Sequence, residues 1–128
     1  MTSEQTKTIL ALMVQLASSD QNISVREDMF IKLYAHNHGV DSGEFDRICR
    51  SPELYTRSLS AISDKDRVFA HLCSFIHFDL KAEEVELEWC SDIGKRLDIE
   101  ASKVDSVISE IRNSAVPLKI EEILDLVK

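Results

Sequence analysis

Glycine and proline are scarce in this sequence, three and two respectively in 128 residues, so few positions demand a turn or forbid a helix. Cysteine is scarce too. Cys49, Cys73 and Cys90 are odd in number and widely spaced, with no Cys-x-x-Cys pair, which excludes a zinc knuckle or a local redox motif; all three read as reduced, buried thiols. Positive charge is in deficit. Fifteen Lys and Arg stand against 23 Asp and Glu, a net charge of −8 that opposes the phosphate neutralisation behind general nucleic-acid binding. Long apolar runs are missing. The stretch from Ile9 to Ala17 contains Gln15, is too short to span a bilayer and ends without a signal-peptidase pattern, so the expected location is the cytoplasm. No phosphate-binding glycine loop, nucleophile elbow or zinc signature is present.

What is present is enough to fold. Hydrophobic residues make up 44% and charged residues 30%, which suits one domain over residues 1–128 without disulfides. Apolar residues recur at spacings of three and four, predicting an all-α bundle of about seven helices. The first runs from about Ser3 to Ser18, burying Ile9, Leu10, Met13, Leu16 and Ala17. A second starts at Ser24, where Ser24-Val-Arg-Glu27 is a capping box, and stops at Gly39. Asp41-Ser-Gly-Glu44 is another box, opening a short helix with Phe45, Ile48 and Cys49, and Ser51-Pro52 opens a second brief connector. Ser63 caps a helix through about His77, apolar nearly all round. Helices follow from about Glu83 to Leu97, with Leu87, Trp89, Cys90, Ile93 and Leu97 inward, and over Val104, Val107, Ile108 and Ile111. Pro117 precedes a last helix, about 117–127, with an apolar stripe of Ile120, Ile123, Leu124 and Val127 that suits docking on the core or on a partner.

The chain also matches itself. Asp79 stands 59 residues after Asp20, and Glu86 stands 59 after Glu27. At that offset Ile9, Leu10, Met13 and Leu16 fall on Val68, Phe69, Leu72 and Phe75, while Val40 falls on Ile99 and Ile48 on Val107. Two pseudo-repeats, about 9–48 and 68–107, are expected to be related by a pseudo-twofold axis. Each is an apolar helix, a loop bearing Asp, and a helix bearing Glu seven residues later.

This half-motif resembles that of the TerB-like family, named for tellurite resistance, in which Asp-Gly-x-Ile-x-x-x-Glu precedes a helix and a Gly-Leu-like pair. Asp20, Ile23, Glu27, Gly39 and Val40 match in the first half, and Asp79, Glu86 and Ile99 in the second. Gln21 and Leu80 replace the family's glycines, and Ala82 its larger aliphatic residue. The resemblance covers about Ile9 to Ile111. It implies a cytoplasmic all-helical module linked to tellurite and other stress responses, sometimes in assemblies at the membrane.

Asp20, Glu27, Asp79 and Glu86 are the candidate metal ligands: four carboxylates without imidazole or thiolate favour Ca²⁺, Mg²⁺ or Mn²⁺. The competing reading is capping and solvated acid, since Glu27 belongs to a capping box and Glu86 lies early in its helix. Asp20-x-Asn22-x-Ser24 imitates a calcium loop, but Val25 and Ile31 stand where the EF-hand requires Gly and Glu. Cys73 and His77, four apart, have thiol–imidazole spacing, yet an apolar helix makes them core residues. His36, His38 and His71 show no ligand pattern. Glu83, Glu84, Glu86, Glu88 and Asp92 read as a solvated helix face. The expected function is therefore a non-enzymatic TerB-like interaction module with a protein partner and a divalent cation at the acidic positions. The alternatives are a metal-dependent enzyme or metal-sequestering protein on the same carboxylates, and a peripheral membrane adaptor using the last helix.

Overall fold

A computed structural model describes residues 3–18, 25–57, 59–79, 84–114, 116 and 118–127, with side chains except at Ser18, Val25 to Glu27, Ser60, His77 to Asp79 and Val85. Among the described residues there are seven α-helices, two short 3-10 helices and no strand. No helix among them is long and apolar enough to cross a membrane. The chain divides into two compact units, Met1–Ser58 and Leu59–Lys128.

The first unit is built on α1, Ser3–Ser18, with no glycine or proline to interrupt it. It is buried from Gln5 to Ala17 except at the half-buried Lys7 and Gln15, a wider face than one stripe. Its polar groups find partners, as buried polar groups must. Thr8 Oγ1 donates to the Tyr55 carbonyl at 3.2 Å, and Gln15 Nε2 donates to Thr56 Oγ1 at 3.3 Å. Against α1 pack α2, Val25–Asn37, α3, Ser42–Arg50, and the 3-10 helix Pro52–Tyr55, which also packs on α3. The capping box expected at Ser24 and Glu27 lies outside the described residues and side chains.

The second unit opens with the 3-10 turn Leu59–Ala61 and is built on α4, Lys65–Asp79. The first carbonyl to accept from α4 is that of Asp64, which takes bonds from Arg67 and Val68 at a left-handed φ of 52° that Asp tolerates better than most residues. Against α4 pack α5, Glu84–Arg96, and α7, Ile120–Val127. The helix α6, Ala101–Asn113, packs on α5 and α7. Ile123, Leu124 and Val127 are buried, so the stripe of α7 lies against its own unit.

Two helices end alike. After α2, Val40 N donates to Ala35 O and Gly39 N to His36 O, with Gly39 at φ 74°. After α5, Ile99 N donates to Gly94 O and Asp98 N to Lys95 O, with Asp98 at φ 61°. Both are Schellman caps, in which a left-handed residue turns the chain so that the last carbonyls are satisfied. Every atom pair in the second lies 59 residues after its counterpart in the first. The same shift carries the bounds of α2 onto those of α5 and the first residue of α3 onto that of α6.

Candidate functional site

The four candidate carboxylates fall two to a unit. Asp20 lies outside the described residues; Glu27 is the third residue of α2 and Asp79 the last of α4, and their side chains are likewise outside the description. Glu86, the third residue of α5, is described and half-buried, which sets it apart from its exposed neighbours Glu84, Glu88 and Asp92. The expected solvated face is therefore solvated at three of its described acids. Among the described residues no group of three or more His, Cys, Asp and Glu side chains is placed to hold a metal ion.

A different carboxylate, Glu44, organises the first unit. Asp41 caps α3 by accepting from Glu44 N at 2.8 Å, one half of the expected box. The Glu44 carboxylate turns to stronger partners: Arg47 Nη1 donates at 2.9 Å, Tyr55 Oη donates to Oε1 at 3.0 Å, and Lys7 Nζ lies 3.5 Å from Oε1. Ionised donors and a phenol hold it where a backbone amide offers less. Glu44 thereby ties α1, α3 and the Pro52–Tyr55 helix together. Burial, and then the Glu44 carboxylate, push the Tyr55 phenol above its ordinary range, so it stays protonated at neutral pH.

Lys7 and Tyr55 also border an open cleft of about 470 Å³ with Glu4, Thr8 and Arg57 on its walls. Its charges are mixed. The amine and the phenol are already engaged by Glu44, and neither is presented as a free nucleophile or base. The cleft suits polar surface contacts. Elsewhere on the first unit, α2 exposes Met29 and Leu33, four residues apart and thus on one face; they are 65% and 58% exposed. Tyr34 stacks on His38 with ring centroids 4.0 Å apart.

One cysteine departs from expectation. Cys49 is exposed, because α3 turns Ile48 inward and the next residue falls off that face. Cys73 and Cys90 are buried as expected, with their Sγ atoms 3.1 Å apart. The relevant neighbour of Cys73 is thus a second thiol; the His77 side chain lies outside the description. Both cysteines are inward positions of consecutive helices, the one signal in the sequence of their meeting. Trp89, expected inward, is half-buried.

No protein-family model, no curated protein and no solved structure matches the chain.

Proposed function

We propose that the chain is a TerB-like helical interaction module, one helical unit used twice, which binds a protein partner and has no catalytic activity of its own. The observation that carries this reading is the 59-residue correspondence: α2 and α5 share their bounds and their Schellman caps at that shift. That is the two-repeat, all-helical plan the TerB-like motif implies. A cytoplasmic role in a stress or tellurite response follows from the same resemblance. Met29 and Leu33 supply an apolar contact for the partner on the outer face of α2. In each unit the repeated acids, Asp20 with Glu27 and Asp79 with Glu86, are the positions at which Ca²⁺, Mg²⁺ or Mn²⁺ would modulate it.

The test is affinity purification from extract of the source cell with the wild type and a Met29→Glu, Leu33→Glu double variant, in divalent cation and in chelator. The expected result is a partner retained by the wild type, lost from the double variant at unchanged melting temperature, and weakened by chelator. Equal recovery by both proteins overturns the interaction surface. Recovery indifferent to chelator removes the cation from the account.

A further inference from the structure

We propose that Cys73 and Cys90 are a redox pair that a peroxide converts to an intramolecular disulfide joining α4 to α5. The geometry is already close. The two Sγ atoms are 3.1 Å apart, and a disulfide bond of about 2.05 Å requires them to approach by roughly a further 1 Å. Each thiol sits in the middle of its helix, α4 and α5 pack directly, and both residues are fully buried. The bond therefore needs rotation of two side chains rather than transport of a segment.

Packing alone does not require sulfur at these places. At the 59-residue shift Cys73 falls on Val14 and Cys90 on Ile31, and both of those aliphatic residues are buried in the first unit. Where one unit fills the interior with two branched side chains, the other places two thiols in contact. Burial and the neighbouring sulfur push the Cys73 thiol above its ordinary range, so it is protonated at rest and its oxidation is slow.

The chemistry balances with hydrogen peroxide as the oxidant. One thiolate attacks a peroxide oxygen: an S–O bond forms, the O–O bond breaks, and the departing oxygen leaves as water after taking a proton. The second thiol attacks the resulting sulfenic sulfur: the S–S bond forms, the S–O bond breaks, and a second water leaves. Two electrons pass from the sulfurs to the peroxide. This inference stands independently of the proposed interaction surface.

The experiment treats the reduced full-length chain with a modest excess of hydrogen peroxide, removes the oxidant, blocks remaining thiols with N-ethylmaleimide under denaturing conditions, and measures intact mass and a non-reduced peptide map. The expected product is a monomer containing a Cys73–Cys90 cross-linked peptide that dithiothreitol releases. Its melting temperature should rise by on the order of 10 °C and fall back on reduction. In Cys73→Val and Cys90→Ile variants, which carry the first unit's residues, both cross-link and shift should vanish. Because the wild-type map is read directly, a variant that misfolds does not blunt the test. Maleimide on both Cys73 and Cys90 after peroxide, sulfinic acid at either, or cross-links running only through the exposed Cys49 would overturn the proposal.

Discussion

The two units share part of their packing: α1 carries α2 as α4 carries α5, but α3 packs on α1 whereas α6 packs on α5 and α7. In each, a fourth element covers the first and third: the Pro52–Tyr55 helix on α1 and α3, and α7 on α4 and α6. A second difference lies in the closing element. A four-residue 3-10 helix buries none of its own residues fully and is held by polar contacts, Tyr55 to Glu44 and its carbonyl to Thr8. The eight-residue α7 buries Ile123, Leu124 and Val127 instead. The short cap is thus held by hydrogen bonds where the longer one also buries apolar area.

The comparison breaks most visibly in the interior. Phe69 and its counterpart Leu10 are both fully buried. Phe69→Ala and Leu10→Ala should each destabilise by about 3–5 kcal/mol in urea unfolding. A cost below about 1 kcal/mol at either position would mean that the two helices do not play the same part.

Next in size is Gly94, whose counterpart is Ala35. A Cβ on Gly94 would stand 2.8 Å from Val104 Cγ2 and 3.0 Å from the Phe69 ring, because α6 and α4 close on α5 there. Gly94→Ala should therefore cost about 1–3 kcal/mol despite the better helix propensity of alanine. Ala35→Gly should cost about 1 kcal/mol, from propensity. A stabilising Gly94→Ala would show that the second unit accepts a Cβ at this point as the first does at Ala35.

The Glu44 network sharpens the contrast between the closing elements. Glu44→Gln should destabilise by about 1–2 kcal/mol and Tyr55→Phe by about 1 kcal/mol, with a double-variant cycle showing coupling between them. Additive effects would mean that the phenol and carboxylate do not act together.

The paired helix ends offer a test of opposite signs. Gly39→Ala places a Cβ at a φ of 74° and should cost about 1 kcal/mol, whereas Asp98→Gly relieves a left-handed non-glycine residue at φ 61° and should gain up to about 1 kcal/mol. Losses at both positions would contradict a common cap.

The smallest effect concerns the exposed pair Glu84 and Arg112, whose Nε and Nη2 donate to the carboxylate at 2.8 and 2.7 Å. Those bonds hold the Glu84 carboxyl below its ordinary range. Its contribution to stability is therefore present above the ordinary carboxylate range and is lost as pH falls through the lowered folded value. In Arg112→Ala the Glu84 titration, followed by NMR, should move upward; an unmoved titration would show that the pair is not formed in solution.

Much of this plan is legible in the sequence, because helix spacing is a local property. The bounds of α1 follow from apolar spacing, the short α3 from the Asp41–Glu44 box, and the break before α7 from Pro117, although the helix begins at Ile120 rather than at about 117. What is not legible depends on partners distant in the chain. Glu44 looks like half of a capping box until Lys7 and Tyr55 arrive from α1 and the Pro52–Tyr55 helix. Cys49 looks like a core thiol because cysteine counts as apolar, and only the rotation of α3 shows it outside. The left-handed backbone of Asp64 before α4 is likewise something a Ser-Asp pair does not announce. Of the candidate metal ligands, spacing gives the repeat of Asp20, Glu27, Asp79 and Glu86 but not what surrounds each carboxylate; Glu86 is half-buried where a solvated acid was expected.

The central claim is that one helical unit is used twice, and residue-resolved amide hydrogen exchange on the intact chain tests it most directly. Opening free energies reflect local packing and hydrogen bonding. The account predicts that protection over α1, α2 and α3 matches that over α4, α5 and α6 at a shift of 59 residues, with the bonded amides of Val40 and Ile99 protected beyond their helix ends. Profiles that correlate at another shift, or at none, would contradict it.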